Sequence, residues 1–362
     1  MKKILIFTFL LCFIDGRADT STKKLMRKVF EDYVKLIPYM YGTKNKGMIV
    51  KLNNLEQSFL KARHDKMLGR PMFSPIAEIF KENISDIKKG YQIQNTSYAK
   101  HRLKVMNVLC ISCHSQLPRK RYPRIINKYS EITNKYIRRN RDKAMLSYFL
   151  RDYETSIKYF KKEFEETSNQ NESVIRTILN IYVTNLDNEN KAVKYLRSIS
   201  NNKKTPKGIK KSAKEWTREL IKPFNRKNDK KSVKKLISRV NNIKDELNIN
   251  SRLAVEMFRM KRTLNNYMTK KTNTKLMPEI LYSLGLLTDR QGDIYLYSLG
   301  EMYLKKCIIN YPKSDIAKDC YTAYKDSVYF GFTGSSGTHI PPDIKKELKT
   351  LESKIKNPKS GS

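Results

Sequence analysis

The chain has 362 residues, and 74 Lys and Arg against 35 Asp and Glu give a formal net charge of +39. Apolar residues at 39% are enough for packed cores in two or three domains, while only 13 Gly and 12 Pro argue against a turn-rich β protein. In a cytosolic protein such a charge would point first to nucleic acid. Here the N-terminus argues against that partner.

Lys2 and Lys3 form a positive start, Ile4 to Ile14 a short apolar run, and Gly16-Arg17-Ala18 supplies small residues where a signal peptidase reads them. The run is shorter than the roughly 20 apolar residues a spanning helix needs. Residues 1–18 therefore read as an export signal, cleaved after Ala18, with an uncleaved anchor as the rival reading. The expected location is the periplasm. Its counter-surfaces would be an acidic redox partner or an anionic envelope surface. Of the five cysteines, Cys12 leaves with the signal, and four remain in two local pairs, Cys110 with Cys113 and Cys307 with Cys320. An oxidising compartment favours thiols that are bridged or otherwise occupied.

Residues 19–120 read as four amphipathic helices, an antiparallel bundle joined by short links. In the first, from Thr20 to Ile37, Leu25, Val29 and Leu36 share a stripe with Met26, Phe30, Tyr33 and Ile37. Pro38 and Gly42 end it. The second runs from Lys46 to Arg63, and a breaker-rich loop through Gly69-Arg70-Pro71 follows. The third starts at Ser74-Pro75 and is expected to stop at Gly90. The fourth runs from about Asn95 to the segment Cys110-Ile111-Ser112-Cys113-His114, with Pro118 closing it.

Residues 121–142 read as a basic linker, and 143–345 as a helical-repeat domain. Ser156-Ile157-Lys158-Tyr159-Phe160 is followed by the similar Ala192-Val193-Lys194-Tyr195-Leu196, close to the 34-residue period of tetratricopeptide repeats. Generic helical hairpins fit nearly as well. Lys203 to Lys235, dense in Lys, Asn and Ser around Trp216, reads as loop-rich or weakly helical. Asp293 to Asn310 and Ser314 to Tyr329 form a helical hairpin that faces Cys307 with Cys320. A disulfide there would contribute about 3 kcal/mol, and the rival reading is two free buried thiols. Residues 346–362 read as a tail.

C-x-x-C-H is the attachment signature of c-type haem. On a helix Cys110, Cys113 and His114 share one face, so two thioethers can fix the porphyrin while the imidazole reaches the iron. A thioredoxin-like dithiol would want a strand before it and a helix after it. A structural zinc would want a fourth ligand, and no second CxxC or HxxxH exists. An antiparallel bundle would place the start of the first helix at the haem pole, with Met26 on its apolar stripe. His64, Met67 and Met72 of the second loop would lie near. Arg63, Lys66 and Arg70 could neutralise the propionates, or could simply form a solvated basic loop. His101 and His339 read as surface histidines.

With the motif at the end of a fourth helix and Leu25-Met26-Arg27-Lys28-Val29-Phe30 in the first, residues 19–120 resemble the class II cytochromes c, the c-prime and c-556 group. That resemblance implies an all-α four-helix bundle with one covalent haem c, and a distal site on the first helix. Low-spin members place a methionine ligand there, which Met26 matches; c-prime members leave the iron five-coordinate. The basic residue that commonly follows the motif is matched loosely by Arg119 to Arg121.

The expectation is an electron carrier with no turnover of its own, whose helical repeats dock a partner and which could form a homodimer. Two alternatives stay open. One is a haem-based gas-binding sensor; the other is an envelope scaffold in which the repeat domain is primary.

Overall fold

The computed structural model describes residues 20–42, 46–63, 74–106, 131–166, 171–225, 227–244, 246, 251–271, 274–290, 297–335 and 337–357. Among these residues the structure is almost wholly helical, and its strand content is one two-residue hairpin. The expectation of an all-α protein holds. No described helix is long and apolar enough to cross a membrane.

Five helices precede the basic segment: α1 Thr20–Val34, α2 Ile37–Tyr41, α3 Met48–Arg63, α4 Ser74–Gln92 and α5 Thr96–Val105. Their core forms where the helical periodicity puts it. Val29 and Tyr33 of α1 meet Leu52, Leu55 and Phe59 of α3, Phe80, Ile84 and Ile87 of α4, and Ala99 and Leu103 of α5. Phe59 and Phe80 stack at 3.8 Å between centroids. The buried carboxylate of this core is well supplied with donors. Asp32, 2% exposed, accepts from Ser58 Oγ at 2.6 Å and from Lys35 Nζ at 2.9 Å. Burial alone would raise its pKa, but those bonds and the nearby ammonium charges hold it below the ordinary value.

Two boundaries differ from the sequence reading, each because of a glycine or proline. The first helix breaks after Val34 and restarts as α2 with Pro38 in its first turn. Gly42 closes α2, since a Cβ there would lie 2.5 Å from the Pro38 carbonyl oxygen. Gly90 does not stop α4, which continues to Gln92. Its role is close approach: a Cβ at Gly90 would stand 2.7 Å from Tyr98 Cδ1 of α5. The turn itself uses Gln94 at positive φ and Asn95, whose side-chain oxygen accepts from the Tyr98 N–H and caps α5.

The stretch read as linker adds to the first core, and a second, larger core begins just after it, at Ala144. Residues 131–136 are helical, and Ile137 is fully buried in the first core. Then come α6 Asn140–Phe149, α7 Tyr153–Glu166 and α8 Glu172–Asn180, which passes into a π-helical turn, Ile181–Asn185. The remaining helices are α9 Glu189–Asn201, α10 Lys207–Ile221, α11 Lys230–Ile243, α12 Ser251–Lys270, α13 Met277–Arg290, α14 Tyr297–Asn310, α15 Ala317–Gly331 and α16 Pro342–Lys356. Sequential pairs pack together, α6 on α7, α9 on α10, α13 on α14 and α14 on α15, while α12 runs through the centre against α10, α11 and α13.

The segment from Lys203 to Lys235 is not loop-rich. Ile209, Ala213, Trp216 and Leu220 form one buried stripe of α10, and Val233, Ile237, Val240 and Ile243 another on α11. Lysine density on the outer faces obscures both in the sequence. Residues 346–356, the start of the expected tail, belong to α16, which buries Leu348 and Leu351 in the second core.

The expected hairpin forms as α14 and α15, with Cys307 and Cys320 joined in a disulfide at a Cα–Cα distance of 6.2 Å. Helices α13 and α14 come unusually close, because a Cβ on Gly300 would meet the Gly285 carbonyl oxygen at 3.0 Å. The two cores touch. Leu146 of α6 and Met302 of α14 are buried among the residues of the first.

Candidate functional site

The segment carrying Cys110, Cys113 and His114 lies outside the described residues, as does the loop with His64, Lys66, Met67, Arg70 and Met72. The helix that leads to the motif is described. It packs antiparallel on α4, with Arg102 Nη2 3.0 Å from Asp86 Oδ2 and Ala99 against Gly90. Leu103 and Met106 of its apolar stripe are fully buried.

Met26 is described, and its setting differs from that of the other methionines in this core. Met40, Met48 and Met106 are at most 2% exposed, and the Met40 sulfur already accepts from the Tyr33 hydroxyl at 3.5 Å. Met26 is only half-buried, packed with Leu25 and Phe30 against the rim of the core. Its thioether is thus less enclosed than those of Met40, Met48 and Met106.

His101 and His339 are exposed, as expected. Among the described residues, no group of three or more His, Cys, Asp or Glu could hold a metal ion.

Two further polar constellations in the second core have no local signature in the sequence. Glu189, at the start of α9, is 7% exposed and receives Arg259 Nε at 3.1 Å, Arg259 Nη2 at 2.6 Å and Arg262 Nη1 at 2.7 Å. Burial would push its carboxyl up, yet the two guanidiniums hold it below the usual range. Arg259 also donates to the carbonyl oxygens of Glu219 and Leu220, so its guanidinium satisfies the acceptors left open at the end of α10. Arg259 lies 70 residues from Glu189, which is why no local spacing betrays the pair.

The second constellation is acidic. Glu301 accepts from Ser327 Oγ at 3.1 Å, and its neighbours include Lys305, Asp289 and Glu347. Burial is the main cause that pushes its carboxyl up to about 7. Glu347 in turn accepts from Lys305 Nζ at 2.7 Å and from the Tyr324 hydroxyl.

Beside Arg259 opens a cleft of about 770 Å³, between α9, the end of α10 and the Lys222–Phe224 link. Its position is set by the same ion cluster, because Arg259 ties α9, α10 and α12 together and stacks on the Phe224 ring at 5.4 Å.

Comparison with protein-family models, with curated proteins and with solved structures gave no match in any of the three.

Proposed function

We propose that the protein is an exported monohaem c-type cytochrome that carries electrons, with its second helical region serving to dock a partner. The observation that carries this reading is the segment Cys110-Ile111-Ser112-Cys113-His114 behind an export-type N-terminus. When bound, the haem supplies one reversible electron.

The protein's own residues would do the rest. Cys110 and Cys113 would add their S–H bonds across the two vinyl groups, fixing the porphyrin by thioethers. The His114 imidazole would serve as proximal ligand, and the Met26 thioether as distal ligand. His/Met ligation favours a higher potential than His/His, which suits an electron carrier. The half-buried setting of Met26, against the sealed settings of Met40, Met48 and Met106, supports its choice. The Cys307–Cys320 disulfide fits an oxidising compartment.

The test is a pyridine haemochrome assay with intact mass, on protein matured in a host competent for c-type attachment. One haem per polypeptide and a mass above that of the bare mature polypeptide are expected, together with a low-spin reduced spectrum. Met26→Ala should turn that spectrum high-spin and open the iron to carbon monoxide. A colourless protein at the mass of the bare polypeptide overturns the whole reading. A coloured one whose wild type is already high-spin and binds carbon monoxide rapidly overturns the role given to Met26 and favours a gas-binding module.

A further inference from the structure

We propose that the cleft beside Arg259 is a docking site for an extended protein segment that alternates acidic with apolar residues. This deepens the partner-docking half of the function proposed above and is independent of the haem.

The cleft has two kinds of lining. One is cationic. Lys194 and Arg197 lie three apart on one face of α9, both exposed, and neither has a carboxylate partner among the described residues. Lys222 stands opposite and is held by Glu219 at 2.6 Å. Beneath them the Arg259 guanidinium is fixed by four hydrogen bonds to Glu189, Glu219 and Leu220. A group fixed in this way gives the cleft a rigid floor without the entropy cost of ordering it on binding. The Arg259 charge is balanced within its cluster, where Glu189 and Asp187 face Arg259 and Arg262, so the excess positive charge of the cleft comes from Lys194 and Arg197.

The other lining is apolar: Val193 on α9, Leu220 at the end of α10, then Pro223 and Phe224 in the link. Ile221 stands at the rim at 62% exposure, one of the most exposed large apolar side chains among the described residues. Phosphate- or sulfate-bearing polymers would use the cations and leave this lining idle. A lipid surface is flat and would not fill a concavity. A peptide with carboxylates on one edge and aliphatic or aromatic side chains on the other satisfies both linings at once. The volume is within the range of ligand-sized clefts.

The closing experiment uses the purified full-length protein and a fluorescently labelled ten-residue peptide of alternating Glu and Leu. Anisotropy is read against polyglutamate of the same length and against vesicles containing phosphatidylglycerol. The mixed peptide is expected to bind at least tenfold more tightly than polyglutamate. Lys194→Glu with Arg197→Glu should weaken the mixed peptide by tenfold or more. Lys207→Glu with Lys211→Glu, an equal charge change on the outer part of α10, should leave it within twofold. Ile221→Ser, at a position too exposed to disturb folding, should remove part of the preference for the mixed peptide. Equal losses in both charge variants would reduce the effect to diffuse attraction and overturn the proposal. So would polyglutamate or vesicles binding as well as the mixed peptide. The haem assay and this binding assay read different parts of the molecule, so failure of one is distinguishable from failure of the other.

Discussion

The two cores are built from the same material and closed by different means. The second core is cross-tied within itself: a disulfide joins α14 to α15, a buried Glu189–Arg259–Arg262 cluster joins α9, α10 and α12, and Gly285 and Gly300 bring α13 and α14 into close contact. Among the described residues the first core is held by apolar stripes, by the buried Asp32, by the less buried pairs Lys88–Glu56 and Arg102–Asp86 and by the close approach at Gly90, with no disulfide, and it leaves Leu25, Met26 and Phe30 half-covered. The two regions therefore differ in how they are tied rather than in the kind of side chain that fills them.

The largest expected break in this contrast is Glu189→Ala. Removing the carboxylate leaves the buried Arg259 guanidinium without its counter-ion, while Arg262 keeps Asp187 at 3.0 Å, and a loss of about 3–5 kcal/mol is expected. Chemical denaturation should show the loss, with Glu189→Gln recovering part of it through the retained carbonyl oxygen. Because the Glu189 pKa is lowered on folding, its contribution is present above the unfolded value of about 4.5 and fades as pH falls through the lower folded value. The wild type and Glu189→Gln should therefore converge in acid.

Next comes the disulfide. Cys307→Ala with Cys320→Ala should cost about 3 kcal/mol, measured by urea unfolding. An equal loss from reduction of the wild type would assign the effect to the covalent link rather than to the packing of sulfur.

In the first core, Asp32→Ala should cost about 1–3 kcal/mol, since the Ser58 hydroxyl would be left buried without its acceptor. A cost as large as that of Glu189→Ala would erase the contrast drawn above.

The last effect shows only as a dependence on pH. Glu301 binds its proton more tightly folded, at about 7, than unfolded, near 4.5. Folding thus gains from this group in acid, and the gain is lost as pH rises from about 4.5 to about 7. Glu301→Gln should flatten the dependence of thermal stability on pH over that window, at most by roughly 3 kcal/mol in all.

How much of this can be read from the amino-acid order depends on the range of the interactions. The helical class, the stripe through Met26 and the pairing of Cys307 with Cys320 are local patterns, and all three are legible. The segment around Trp216 reads as loop-rich or at most weakly helical because lysines dominate its composition, while the buried spacing of Ile209, Ala213, Trp216 and Leu220 is sparse. Gly90 reads as a stop because a glycine's need for space cannot be told from its need for φ freedom without the opposite helix, here Tyr98. The Arg259 cleft is hidden for a stronger reason. Its residues come from α9, from the end of α10 and from α12, and no window of sequence contains them together.

Helix α14 has a practical consequence for anyone wishing to obtain the haem-motif half alone. Met302 lies buried in the first core, and five residues later Cys307 is bonded into the second. An excised N-terminal piece ending before Leu146 would lack two of its own buried side chains and expose their sockets to water. Such a piece should aggregate where the whole polypeptide does not, so spectroscopy on this protein is best planned with the polypeptide uncut.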